Sequence, residues 1–72
     1  MRIFLNQRKL RETIFNKRIT QKDLGIKMGV SVSQVNQIIN RGTCSLESLK
    51  KLAEALEIDE DSIIKKDLNF TN

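Results

Sequence analysis

Between Thr20 and Ile39 two short stretches of helical pattern meet at a glycine, and this segment restricts the fold more than any other part of the chain. Leu24 and Met28, four apart, share one face of the first stretch, while Val35, Ile38 and Ile39 cluster on one side of the second. Thr20 and Ser31 stand where N-caps belong, each hydroxyl able to accept from free amides of the next turn. Gly29 falls where a left-handed residue must end the first stretch, because glycine meets no Cβ clash there. Gly25 supplies the small residue that lets two helices cross closely. The segment therefore predicts helices over about Gln21 to Met28 and Val32 to Asn40, with Val30 as a buried staple between them.

The flanking sequence keeps the same period. A first helix is expected from about Phe4 to Asn16, with Leu10 and Ile14 inward, Phe15 beside them, and Arg8, Lys9, Arg11 and Glu12 solvated. Lys17-Arg18-Ile19 breaks the pattern, and Gly42 ends the loop that follows the third helix. Ser45 caps a fourth helix whose stripe is Leu46, Leu49, Leu52, Ala53 and Leu56, with Glu47 in the dipole-favoured first turn. Asp59 or Asp61 opens a last short helix carrying Ile63 and Ile64. The expectation is an all-α fold of five helices in a single domain over residues 1–72, its core about 4–65, with 67–72 a frayed tail.

No covalent staple helps a chain of 72 residues. Cys44 stands alone and histidine is absent, so neither an internal disulfide nor an ordinary zinc site is expected; Cys44 reads as a small loop residue rather than a reactive thiol. Catalysis finds poor raw material: no His, Tyr or Trp, no glycine-rich phosphate loop and no acidic pair in a cleft-forming context. The reading is non-enzymatic, without cofactor, metal or small-molecule ligand. The opening apolar run is too short for a signal peptide, and no stretch approaches the roughly 20 apolar residues of a membrane span.

Charge divides unevenly. Residues 1–44 carry nine basic side chains against Glu12 and Asp23, whereas residues 45–72 carry four against seven acids. Such asymmetry points the first half toward a polyanion. The outward arc of the third helix sharpens that inference. Val32, Ser33, Asn36, Gln37 and Asn40 fall together opposite the apolar side, short and uncharged. Asn and Gln carry donor and acceptor together and suit base edges; Ser serves either role and Val meets a thymine methyl.

Thr20-Gln21, Leu24-Gly25, Met28-Gly29-Val30-Ser31, Val35 and Ile38 resemble the helix-turn-helix signature of Cro/CI-type regulators, the xenobiotic-response-element family. Leu10-Arg11-Glu12 resembles that family's first helix, and the run from Ser45 to Leu56 its fourth. The resemblance implies a lambda-repressor-like DNA-binding domain with its helix-turn-helix at helices 2–3. It implies base contacts from Val32, Ser33, Asn36 and Gln37, and phosphate contacts from Gln21, Asn40, Arg41 and Thr43. Lys22 joins them by its charge. Three departures stand out: Val32 where Arg or Gln is frequent, Gly25 for the usual alanine, and Ile26 and Ile39 at positions often polar.

Function follows as transcription regulation in the cytoplasm of a bacterial cell or phage-infected host, similar to the small temperate-phage switch proteins. Double-stranded DNA is the expected partner, bound as a homodimer on a two-fold operator. Ile63, Ile64, Leu68 and Phe70 are the first candidates for dimer contacts, and Ile3-Phe4-Leu5 the second; either set would equally serve to seal the core. An alternative reading is a modulator that binds a CI-type repressor through Ile26 and Val32, since exposed apolar residues mark protein contacts. An antitoxin role is a third.

Overall fold

Every α-helix among the described residues starts at a side-chain oxygen that accepts a backbone N–H three residues on. The computed structural model describes residues 2–65. Asn6 caps α1 (Gln7–Asn16), Thr20 caps α2 (Gln21–Met28), Ser31 caps α3 (Val32–Arg41) and Ser45 caps α4 (Leu46–Leu56). At α3 the cap is reciprocal. Ser31 Oγ accepts from the Gln34 amide at 3.2 Å while Gln34 Oε1 accepts from the Ser31 amide at 3.1 Å.

Three of the helices also end alike. The Gly29 amide donates to Ile26 and the Val30 amide to Gly25, with Gly29 at φ 74°. Arg18 and Ile19 close α1 in the same way, and Glu57 and Ile58 close α4. In each case a left-handed residue is followed by an apolar one, Ile19, Val30 or Ile58, that folds back against the core. Arg18 and Glu57 adopt φ 56° and 58° without being glycine.

The expectation of five helices and no strand needs correction. Among the described residues the chain is mostly helical, with four α-helices, and the last described turn, Glu60–Ser62, is a single 3-10 turn. Asp59 precedes that turn but makes no side-chain cap bond. Ile3–Phe4 (β1) pairs antiparallel with Thr43–Cys44 (β2), and Leu5 bridges to Ile64. These pairings explain why α1 starts at Gln7 rather than near Phe4: the Phe4 carbonyl accepts from the Lys65 amide at 2.8 Å instead of from an amide one helical turn on, while the amides of Leu5 and Asn6 donate to Gly42 and Ile63, both at 2.8 Å.

Leu10, Leu24, Leu49, Leu52, Leu56, Ile63 and Val35 are fully enclosed, with Leu5, Met28, Ile39 and Cys44 around them. Ile14 and Ile38 pack partly buried against this core. Phe15, however, turns outward at 80% exposure, and Leu46, first residue of α4, lies half out of its stripe. Cys44 is a buried strand residue, not a loop residue. Burial raises its thiol pKa, with Arg2 acting in the lowering direction, so the thiol stays protonated at neutral pH.

Candidate nucleic-acid interface

α2 and α3 meet across a turn of three residues, and Gly25 sets how near they come. A Cβ at Gly25 would stand 3.0 Å from the Val30 carbonyl oxygen and 3.5 Å from Val35 Cγ2. Glycine thus permits the chain leaving α2 to fold directly over it before α3 begins. Val35 and Ile39 then anchor α3 inward, and its opposite side faces solvent.

On that side stand Val32, Ser33, Asn36, Gln37 and Asn40, all exposed. None carries a formal charge. Arg41 is exposed at the last position of α3, and Thr43 is half-buried in β2. Gln37, Arg41 and Thr43 line one shallow depression together with Arg2, Ser45 and Ser48. Gln21 and Lys22 are exposed on the first turn of α2, outside that depression. Ile26 is 68% exposed on α2 and Val32 45% exposed at the start of α3. Ile39 takes the other course: it is buried and completes the core.

Side chains from the N-terminal region hold this surface in ways the helical pattern did not reveal. Gln7 Nε2 donates to the carbonyls of Ile39 and Asn40, each at 2.9 Å, satisfying two of the acceptors that a helix end leaves free. Arg11, expected to be merely solvated, donates to Asn40 Oδ1 at 3.4 Å. Asn40 Nδ2 in turn donates to Asn36 Oδ1 at 2.8 Å. Arg2 donates to Thr43 Oγ1 at 3.0 Å from the start of β1. Each of these contacts spans a long stretch of chain except the last link of the relay, which is an i,i+4 pair on α3. Arg8 and Glu12, by contrast, form an exposed pair at 3.7 Å that contributes little.

Of the apolar residues considered as dimer contacts or core seals, Ile63 is fully enclosed by this chain's own core and Ile64 packs against it. Leu68, Phe70 and the rest of the tail lie outside the described residues. Among the described residues, no helix is long and apolar enough to cross a membrane.

Residues 7–63 match the model of the helix-turn-helix family. Among solved structures, the restriction-modification controller protein C.AhdI from Aeromonas hydrophila is similar, with a TM-score of 0.71 and 30% sequence identity over 78% of this chain and 86% of that one. No curated protein matches the chain.

Proposed function

The chain belongs to the Cro/CI-type helix-turn-helix family, and we propose that it is a sequence-specific transcriptional regulator in which α2 and α3 form the helix-turn-helix and α3 enters the major groove. The observation that carries this reading is the outward side of α3: exposed, uncharged amides and hydroxyls on a helix fixed from beneath by Val35 and Ile39. Val32, Ser33, Asn36 and Gln37 contact base edges. Gln21, Lys22, Arg41 and Thr43 contact the flanking phosphates, and Arg2 joins them through its bond to Thr43. Phosphate contacts fix register, while base contacts select sequence.

A single helix-turn-helix module offers few base contacts, so the regulator acts as a homodimer on two half-sites one helical turn apart. Phe4, 63% exposed beside the Leu5–Ile64 bridge, is the described residue of the terminal apolar sets best placed to contribute. The regulator acts on a phage or mobile-element switch in the bacterial cytoplasm, the role that its resemblance to small temperate-phage switch proteins implies.

Selection from a randomised duplex pool, followed by gel shift, tests the reading. The wild type should enrich a definite sequence, and Asn36→Ala and Gln37→Ala should each lose about 1–3 kcal/mol of discrimination at one base pair. Affinity should also fall steeply with salt as Lys and Arg release counterions from phosphate. Unchanged sequence preference in both variants would overturn the assigned face.

Exposure of Ile26 and Val32 favours a second reading, a hetero-complex with a CI-type repressor. In that case the pure protein binds DNA weakly, and Ile26→Asp or Val32→Asp abolishes co-purification with the repressor. An intact complex after both changes eliminates those contacts.

A further inference from the structure

A carboxamide side chain on an exposed helix face is normally free to rotate and to present either its oxygen or its nitrogen. Asn36 is constrained. Its Oδ1 accepts from Asn40 Nδ2 at 2.8 Å, and Asn40 Oδ1 accepts from Arg11 at 3.4 Å. A guanidinium only donates, so Arg11 fixes which end of the Asn40 carboxamide faces α1. Asn40 must then turn its nitrogen toward Asn36, and Asn36 must answer with its oxygen. The polarity of the whole relay is set by one arginine outside α3.

The base of the relay is itself held. Gln7 Nε2 bonds the carbonyls of Ile39 and Asn40 at 2.9 Å, tying the backbone under Asn40 to α1. Gly42 leaves the space for it, since a Cβ there would lie 2.8 Å from Gln7 Cγ and Cδ.

We propose that Arg11 and Asn40 are positioning residues: through the Arg11–Asn40–Asn36 relay they hold the Asn36 carboxamide with its nitrogen outward, so that Asn36 reads an acceptor-rich base edge. This inference rests on α3 being the reading helix. It replaces a phosphate-contacting role for Asn40, whose oxygen and one of whose N–H groups are engaged within the chain. In the major groove guanine offers two acceptors, N7 and O6, whereas adenine pairs an acceptor with a donor and needs the carboxamide oxygen as well. With that oxygen directed to Asn40, guanine is favoured over adenine at the base pair that Asn36 faces.

Two measurements test this, one of them without DNA. In the free protein, the Asn36 side-chain amide should be ordered by nuclear spin relaxation in the wild type and disordered in Asn40→Ala; equal order in both overturns the relay. With duplexes selected from a randomised pool, Asn36→Ala locates the base pair that Asn36 reads. There the wild type should prefer guanine to adenine by about tenfold, as expected for one well-oriented side-chain contact. Asn40→Ala and Arg11→Ala, which removes the donor altogether, should shrink that preference while leaving the other positions of the site unchanged. Asn40→Ala should add nothing at that position in the Asn36→Ala background. A uniform loss of affinity at all sequences would make Asn40 a phosphate contact and overturn the proposal, as would an adenine preference in the wild type. A wild type that enriches no sequence, with the Asn36 amide still ordered, overturns the reading-helix assignment and leaves the relay with no base to orient.

Discussion

α3 and α4 are nearly equal in length, both capped by serine and both anchored by an apolar stripe, yet they present opposite outer surfaces. α4 shows Glu47, Lys50, Lys51 and Glu54 to solvent, charges of both signs that keep a helix soluble and select nothing. α3 shows Ser33, Asn36, Gln37 and Asn40. Only α3 has its outer residues bonded to a side chain of α1, and its final carbonyls are held by Gln7. The difference teaches where order is invested. α4 stabilises the molecule by burial alone, whereas α3 is restrained on its exposed side as well, which a merely structural helix does not require.

The largest effects should make the two helices look the same. Ile39→Ala in α3 and Leu52→Ala in α4 each remove a buried side chain and should each cost about 2–5 kcal/mol, measured by denaturant unfolding. If one were tolerated, the claim that both are anchored by burial would break. The helix ends should then separate them. α3 finishes at Gly42, φ 69°, with Gln7 packed into the space of the missing Cβ. Gly42→Ala should cost about 1–3 kcal/mol, because the strained φ and the displaced Gln7 act together. α4 finishes at Glu57, φ 58°, with no glycine to relieve it. Glu57→Gly should raise stability by about 0.5–1 kcal/mol, so a thermal melt of these two variants should show shifts of opposite sign. Smallest of all, Lys50→Ala and Lys51→Ala should change stability by no more than about 0.5 kcal/mol and leave sequence preference on DNA intact. A clear loss of preference in either would erase the distinction between the two outer surfaces.

Local signals carried most of the helical layout. Thr20, Ser31, Ser45 and Gly29 act through bonds to residues within one turn, so their roles are visible in the order of residues alone. The outward arc of α3 was equally legible, since a period of 3.6 places Val35 and Ile39 opposite Asn36 and Gln37. What was hidden depends on distant partners. Ile3, Phe4 and Leu5 look like the start of a helix until Thr43, Cys44 and Ile64 are brought beside them. Nothing local distinguishes Arg11, which reaches Asn40, from Arg8, which pairs with Glu12 one turn away. The left-handed ends at Arg18 and Glu57 were hidden because neither is glycine; the signal present was the apolar residue after each, Ile19 and Ile58. Leu46 was misplaced because a stripe extrapolated to the first turn overruns the part of the helix that the core covers.

Which helix faces DNA decides the account. Backbone and side-chain amide shifts recorded while titrating the chain with its selected duplex compare α3 and α4 in a single sample. The expected result is large changes at Val32, Ser33, Asn36 and Gln37, together with the first turn of α2, and little change at Lys50, Lys51 and Glu54. Changes concentrated on the outer surface of α4, with α3 undisturbed, would contradict it.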